Sequence, residues 1–387
     1  MHKPVSRHAW KLSKNQHPAF LLGMHALQLC LQALALLPVV AGAAHRVHHI
    51  PGYGAPPTRH YSGFVTVDAD TDTNLFYYLV ESQSADPSND PLLWWMNGGP
   101  GASSMVGLFA ENGPLLMASG GGPAGPPRFV NNPYAWNRKA NVLYVEFAPG
   151  IGYSYCANSS KPTGADGCAQ ASGDCSPCYA SDASVASNNV ALLEALLTRD
   201  LPEYAGRPLY LAGESYAGVY IPTLANAIVT HPSFVAAGTS LANLHGLWVT
   251  DPCTDNGAQF GWLDLGVEFS YQKGLIGGDV HTALTGPECS SGRTQVGDHV
   301  RNTSSVSCRR AWRLYDIATN GFGNAVHPKE IPGLPMYTDP LNAYGPSGGG
   351  GDLPAYLGSD VVRKAINADA SPNKVYHSES NCTLSHH

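Results

Sequence analysis

Short, mostly apolar runs recur along the chain with the lengths that buried strands have. Tyr61–Asp68 and Asn74–Glu81 alternate between apolar and polar residues, which predicts two paired strands. Four later runs are shorter and almost continuously apolar, a pattern that favours strands inside a sheet. These runs are Pro91–Met96, Asn141–Phe147, Arg207–Ala212 and Leu244–Thr250.

Helical patterns lie between and after these runs. Asp182–Leu197 carries alanine, valine and leucine on one face, and Val219–Val229 has the pattern of a helix that follows a strand. Asp360–Asn367 begins a further helix. Because strands and helices alternate, the pattern predicts an α/β chain with a doubly wound, mostly parallel sheet flanked by helices.

The first residues have the pattern of a targeting segment. Basic residues lie between Lys3 and Lys14, residues 26–40 are mostly apolar, and residues 41–43 form a small-x-small cleavage pattern. The alternative is a membrane anchor. The apolar run contains two glutamines and a proline, and it is short for a span of about 20 residues. We expect a secretory signal peptide in residues 1–43, with no membrane association after its removal.

The composition of the chain allows a large hydrophobic core and argues against a nucleic-acid partner. Hydrophobic residues make up 43% of the 387 residues and charged residues only 13%. Such a chain can bury a sizeable core and does not have the composition of a disordered protein. The net charge is −7, with no basic block after the first residues, so we expect no nucleic-acid partner.

The cysteines point to the secretory route. Removal of residues 1–43 leaves an even number of them, and three N-x-Ser/Thr sequons fit the same compartment. The cysteines are Cys156, Cys168, Cys175, Cys178, Cys253, Cys289, Cys308 and Cys382, and the sequons begin at Asn158, Asn302 and Asn381. The pair Cys175 and Cys178 is also open to a redox or metal interpretation. Its Gly/Ser/Ala-rich surroundings and the lack of a second such pair favour a structural disulfide, and we expect no metal or cofactor.

A candidate nucleophile lies at a strand-to-helix junction. Gly213–Gly218 contains Ser215 between small residues, close to the G-x-S-x-G pattern of a nucleophile elbow, with Ala217 at the last position. A serine at the start of a helix is commonly only an N-cap, which is the alternative interpretation. The preceding strand and the spacing of the glycines favour the nucleophile.

A second motif supplies backbone donors for the same chemistry. Asn97–Gly101, which we call the glycine loop, follows the apolar run Pro91–Met96. Exposed N–H groups in such a loop can form an oxyanion hole, although a pair of glycines is also common in ordinary tight turns. We therefore predict the N–H groups of Gly99 and Tyr216 as the two donors beside Ser215.

The two motifs and several further segments resemble the serine carboxypeptidase family of α/β-hydrolases. The further segments are Ser62–Val67, Phe76–Tyr78, Trp95–Pro114, Tyr144–Ser154, Glu203–Tyr204 and Thr250–Pro252. The resemblance runs from about Pro51 to the last residues. It implies an α/β-hydrolase fold with an inserted cap, and a serine-type carboxypeptidase that releases C-terminal residues through an acyl-enzyme at Ser215. Some family members instead transfer the acyl group to an alcohol, so acyl transfer stays open.

The resemblance also implies a site for the C-terminal carboxylate of a peptide or protein substrate. It assigns this role to Asn97, the N–H of Gly98, Glu111 and Glu214. Two ionised glutamates would repel a carboxylate, so both must donate hydrogen bonds in their protonated form. This requirement predicts raised pKa values and a preference for acidic pH, as in a vacuole-like or lysosome-like compartment or outside the cell.

The same resemblance divides the chain. Residues 44–252 are expected to form the hydrolase core with the nucleophile elbow, and residues 253–340 a cap-like insertion of more irregular pattern. Residues 341–387, with a glycine-rich joint at 345–351, are expected to return to the core and to be incomplete.

Three departures from the family pattern bear on activity. Pro149 lies one position later than the family's proline, and Ala102 stands where the family has a cysteine that bridges to the region of Cys382. The family's triad aspartate and histidine lie beyond that region. The terminal histidines His377, His386 and His387 are poorly placed to act as a base, and we assign none of them. The second hypothesis is therefore a truncated, non-catalytic product or a pseudoenzyme, and we expect weak peptidase activity from the 387 residues alone.

Overall fold

The strands of the computed structural model form one mixed sheet and one small pair. The structure describes residues 45–118, 128–156, 180–235, 241–254, 263–290, 305–319, 353–373 and 376. Its strands are β1 His45–Val47, β2 His60–Asp68, β3 Thr73–Val80, β4 Leu92–Met96, β5 Leu115–Ala118, β6 Arg128–Asn131, β7 Asn141–Val145, β8 Tyr155–Cys156, β9 Pro208–Glu214 and β10 Asn243–Thr250.

Within the residues that the structure describes, the α-helices all come after β8 in the chain. They are α1 Asp182–Ala195, α2 Ala217–Thr230, α3 Pro232–Val235, α4 Leu263–Gln272, α5 Gly278–Thr285, α6 Pro287–Ser290, α7 Val306–Thr319, α8 Leu353–Gly358 and α9 Asp360–Ala365. Ser181 caps α1 by accepting a hydrogen bond from the N–H of Ser184, whose hydroxyl accepts from the N–H of Ser181 in return. None of the helices in the described ranges is long and apolar enough to cross a membrane.

The large sheet changes from antiparallel to parallel pairing part-way across. Its order is β1-β2-β3-β7-β4-β9-β10, and β8 pairs with β3. The pairs β1–β2, β2–β3 and β3–β7 are antiparallel, whereas β7–β4, β4–β9 and β9–β10 are parallel. Parallel strands end at the same edge of a sheet. The segments after β4, β7, β9 and β10 therefore meet at one edge.

Strand β3 shows how the sheet is covered on both faces. Leu75, Tyr77 and Leu79 lie in a hydrophobic cluster with residues of α1 and α2. The alternate residues Phe76 and Tyr78 lie in a second cluster, which includes residues of α8 and α9. Successive side chains of a strand point to opposite faces. Each face of the sheet is thus buried against its own pair of helices.

A third cluster lies in the region predicted as the cap-like insertion. Val267, Ile276, Leu284, Trp312 and Tyr315 are buried there and contact one another. A disulfide between Cys289 and Cys308 joins α6 to α7, and Cys156 is also disulfide-bonded. Cys253 is a free thiol within the described ranges. The division into core, insertion and return segment stays a prediction.

The predicted strands and helices are confirmed with small shifts at their ends. The helix after Ser215 begins at Ala217, two positions before the predicted start. The patterns missed strands β1, β5, β6 and β8, a π-helical turn at Gly107–Glu111, and helices α3 to α8, most of which lie in the region predicted to be irregular. The predicted signal segment, the glycine-rich joint at 345–351, the Cys175 and Cys178 pair, and Cys382 lie outside the described residues.

Truncating a side chain in the middle of the sheet tests this core. Leu143 of β7 is 1% exposed and pairs in register with Trp94 of β4. We expect Leu143→Ala to lower the free energy of unfolding by about 2–5 kcal/mol, because it removes buried methyl groups and leaves a cavity. Chemical denaturation followed by fluorescence measures the change. Val229→Ala, at a residue that is 53% exposed, should change stability by less than about 0.5 kcal/mol. Equal effects of the two variants would contradict the assignment of the core.

Candidate active site

Ser215 lies in the sharp turn between β9 and α2. Its φ angle is +56°, a left-handed conformation that residues other than glycine rarely adopt. The turn is held by backbone hydrogen bonds: the N–H of Ser215 donates to the Thr250 carbonyl at 3.0 Å, and its own carbonyl accepts from the N–H groups of Gly218 and Cys253, both at 2.9 Å. Strain of this kind persists where the surroundings fix it, often at functional sites. The geometry is that of a nucleophile elbow.

The glycine loop lies directly against this elbow. A methyl group on Gly98 would lie 2.6 Å from the backbone nitrogen of Tyr216 and 2.7 Å from Cβ of Ser215. Only glycine allows so close an approach. The loop closes on itself through a hydrogen bond from the N–H of Ala102 to the Gly98 carbonyl at 3.1 Å, and Gly99 has a φ of +108°. Gly98, which precedes the predicted donor Gly99, thus lies directly against Ser215 and the other predicted donor, Tyr216.

Asn97, at the end of β4, has a fixed amide orientation. Its Oδ1 accepts hydrogen bonds from Trp95 Nε1 at 2.8 Å and from the N–H of Gly107 at 3.1 Å. The side chain is buried, with 2% exposure. Because the oxygen is held by two donors, the Nδ2 group is directed to the other side of the amide, where the two predicted glutamates lie.

Glu111 and Glu214 both contact the Asn97 amide. Nδ2 donates to Glu214 Oε1 at 2.8 Å and to the two carboxyl oxygens of Glu111 at 3.2 and 3.3 Å. Glu111 comes from the π-helical turn after the glycine loop, and Glu214 is the last residue of β9. Asn97 thus forms one cluster with Glu111, which is 14 positions away in the sequence, and Glu214, which is 117 positions away.

Burial makes this cluster prefer protons. Desolvation raises the pKa of Glu111 to about 7, and the negative charges of Glu214 and Asp251 act in the same direction. Desolvation also raises the pKa of Glu214, with a further contribution from Asp251, against the opposing effect of the Asn97 hydrogen bond. A protonated carboxyl can donate a hydrogen bond, which an ionised one cannot. At mildly acidic pH the cluster therefore offers donors to an anionic group.

Several side chains at this site were not predicted from the sequence. Trp95 orients the Asn97 amide, and Ser104 Oγ accepts from the N–H of Asn97 at 3.4 Å. Asp251 follows β10, whose last residue Thr250 pairs with Glu214. The hydroxyl of Tyr216 lies 3.3 Å from Asp182 Oδ2 at the start of α1. Trp95, Ser104 and Asp251 lie within segments that carry the family resemblance, which was the available signal, although no role was assigned to their side chains.

In the parts of the chain that the structure describes, no group of three His, Cys, Asp or Glu residues is arranged to bind a metal ion. His377, His386 and His387 lie outside the described residues.

A family model described as serine carboxypeptidase matches residues 51–386. The chain belongs to the serine carboxypeptidase family. The predicted α/β-hydrolase fold class is also confirmed. The chain is similar to a solved structure of a prohormone-processing carboxypeptidase from Saccharomyces cerevisiae, with a TM-score of 0.60 and 21% identity, over 89% of this chain and 72% of that chain.

Named relatives come from plants and animals. Serine carboxypeptidase-like 46 of Arabidopsis thaliana is 32% identical over 299 residues, which are 77% of this chain and 57% of the relative. The lysosomal protective protein of Mus musculus is 36% identical over 301 residues, or 76% and 54% of the two chains. Serine carboxypeptidase 1 of Hordeum vulgare is 41% identical over 182 residues, 46% of this chain and 33% of the relative. The matched part of this family member thus covers at most a little over half the length of these relatives.

The raised pKa of Glu111 gives a stability prediction. Its folded pKa of about 7 exceeds the ordinary value near 4.5, so the folded state holds more protons between these values. The stability contributed by the protonated group is therefore present below about pH 4.5 and is lost as the pH rises through about 7. Denaturation at pH 4 to 8 should show that Glu111→Gln reduces this decline. Glu203→Gln, at an exposed glutamate, should leave the decline unchanged. Identical pH profiles for wild type and Glu111→Gln would contradict the assignment.

Proposed function

We propose that this site performs serine-type carboxypeptidase chemistry on the C-termini of peptides and proteins, through an acyl-enzyme at Ser215. One observation carries the proposal: the strained elbow of Ser215 lies next to a cluster that can bind a carboxylate. Glu214 belongs to both, because it precedes the nucleophile and contacts the Asn97 amide at 2.8 Å. A carboxypeptidase cleaves the last peptide bond of its substrate. Its nucleophile and its carboxylate-binding groups must therefore be separated by the length of one amino-acid residue.

The nucleophilic step follows from the elbow. Ser215 Oγ attacks the carbonyl carbon of the last peptide bond, and the N–H groups of Gly99 and Tyr216 stabilise the negative charge on the carbonyl oxygen. Collapse of this intermediate releases the C-terminal amino acid and leaves an ester on Ser215, which water then hydrolyses. The proton of the serine passes to a general base, which then gives it to the nitrogen of the leaving amino acid; the family uses a histidine for this, which we do not assign to a residue.

The carboxylate cluster positions the substrate. Asn97 Nδ2, the N–H of Gly98 and the protonated carboxyls of Glu111 and Glu214 would donate hydrogen bonds to the terminal carboxylate. When the two glutamates ionise, they lose their protons and repel the same group. Binding is therefore strongest at acidic pH.

The acidic optimum fits the route that the sequence predicts. A signal peptide, disulfides and sequons are typical of proteins that enter the secretory pathway. The murine relative is named a lysosomal protective protein. We propose that the chain acts in a vacuole-like or lysosome-like compartment or outside the cell.

The reactivity of Ser215 is directly testable. A fluorophosphonate probe should label the protein, and Ser215→Ala should abolish the labelling because the attacking oxygen is lost. Ser187→Ala, at an exposed serine of α1, should label like the wild type. Labelling that persists in Ser215→Ala would reject this nucleophile, and a wild type without labelling would favour a non-catalytic protein.

Carboxylate recognition is testable without turnover. In the Ser215→Ala background, a peptide with a free C-terminus should bind more tightly than its C-terminal amide at pH 5. The preference should weaken toward pH 8, as the pH passes the Glu111 pKa of about 7; the pKa of Glu214 is also raised, mainly by desolvation. With Glu111→Gln and Glu214→Gln, whose amides donate without titrating, affinity should depend little on pH. Calorimetric titration measures the peptide affinity of each variant at each pH. An unchanged pH dependence in the glutamine variant would refute the role of Glu111 and Glu214.

A further inference from the structure

Another glutamate, Glu146, is enclosed near the glycine loop. Glu146 follows β7 and is fully buried. Its Oε1 accepts hydrogen bonds from the hydroxyl of Ser103 at 2.8 Å and from that of Tyr376 at 2.6 Å. Burying a carboxyl costs several kcal/mol unless partners compensate for the lost water. The contacts of Glu146 therefore indicate what its burial contributes to the structure.

The Ser103 contact connects Glu146 to the glycine loop. Ser103 lies two positions after Gly101 and is fully buried. Its hydroxyl oxygen also accepts from the N–H of Met105 at 3.0 Å. The neighbouring Ser104 accepts from the N–H of Asn97 at 3.4 Å, at the other end of the loop. Both ends of the loop are thus held, and one of them is held by Glu146.

The Tyr376 contact connects the same carboxyl to the segment near the C-terminus. The Tyr376 ring packs edge-on against Tyr153, with ring centres 4.7 Å apart. Nearby, Asn373 Nδ2 donates to the carbonyls of Gly152 at 3.0 Å and Ser154 at 3.3 Å. The hydroxyls of Ser103 and Tyr376 also contact each other, so Glu146 completes a three-way contact between segments that are 273 positions apart.

Gly152 leaves the space that Glu146 occupies. A methyl group at this position would lie 2.1 Å from Glu146 Oε1 and 2.6 Å from its carboxyl carbon. Gly152 also has a φ of +50°. Any side chain here would displace the carboxyl from its two hydroxyl donors.

We infer that Glu146 is a positioning residue: by accepting from Ser103, it holds the glycine loop against the Ser215 elbow, and by accepting from Tyr376 it fixes that loop to the C-terminal segment. Its effect on activity rests on the proposed function, in which the loop supplies the Gly99 donor. A carboxyl with only a packing role would stabilise the fold without setting the position of that donor.

The test compares variants of Glu146 with a matched glutamate at the opposite edge of the sheet. Glu81 is also buried, accepts from Arg59 Nε at 2.7 Å, and follows Val80, which pairs with Val142 near the start of β7. Glu146→Leu removes the hydrogen-bond acceptor, whereas Glu146→Gln keeps an amide oxygen as acceptor. Glu81→Gln weakens the ion pair between Glu81 and Arg59, which is distant from the glycine loop. Ser103→Ala removes the loop-side donor of Glu146, together with the contacts of Ser103 to the Tyr376 hydroxyl and the Met105 N–H, and is a second route if Glu146→Leu does not fold.

Two readouts separate positioning from packing. Hydrogen–deuterium exchange should rise in residues 98–105 for Glu146→Leu and Ser103→Ala, and stay near wild type there for Glu146→Gln and Glu81→Gln. For the first two variants, the saturating rate of fluorophosphonate labelling should fall by about 100-fold, as for a donor misplaced by about 1 Å. The probe concentration at half-saturation should change little, because the loss falls on the reacting state.

Loop exchange at the wild-type level in Ser103→Ala or Glu146→Leu would overturn the inference, even with reduced stability. Labelling at the wild-type rate in these variants would overturn it as well. A wild type that is not labelled at all would reject the proposed function of Ser215. The exchange pattern would then still decide whether Glu146 holds the loop.

Discussion

The parallel pairing of β7, β4 and β9 is the constraint on which the site depends. In register, Trp95 pairs with Tyr144, and Met96 pairs with Gly213. The residues that follow these pairs therefore leave the sheet at the same edge: Asn97 after β4, Glu146 near the end of β7, and Ser215 after β9. A one-residue slip of β4 would turn its side chains to the opposite faces and move the Asn97 amide away from Glu214. Hydrophobic burial on both faces, with α1 and α2 on one and α8 and α9 on the other, specifies the register.

Three glutamates lie near Ser215 or the glycine loop, and their environments differ. Glu111 and Glu214 share one amide donor and repel each other, which leaves them ready to take up protons. Desolvation likewise raises the pKa of Glu146 to about 7, but two hydroxyl groups donate to it and oppose this rise. Glu111 and Glu214 remain partly exposed, where a ligand can reach them, whereas Glu146 is fully enclosed. The same type of side chain thus meets solvent in one position and buried hydroxyl donors in another.

Local patterns in the sequence predicted the strands, the elbow and the carboxylate cluster, because each depends on a short motif or on a family landmark. Glu146 lies within such a landmark, yet its contacts were not predicted: Ser103 is 43 positions away and Tyr376 is 230 positions away. No periodicity encodes a contact over such a distance. The orientation of the Asn97 amide was missed for a similar reason, since it depends on where the Trp95 ring lies. Strands β5 and β6 are four residues each, too short for alternation to be distinct.

The long separation of Tyr376 from the glycine loop has a consequence for the order of events during synthesis. A ribosome releases a chain from its N-terminus, and early segments can fold before later ones exist. Asn97, Glu146 and Ser215 are all synthesised well before Tyr376, so the contacts of Tyr376 with Ser103 and Glu146 can form only after the later segment has been made. A nascent chain therefore carries the Ser215 elbow for some time before the glycine loop has all the contacts that it has in the folded protein.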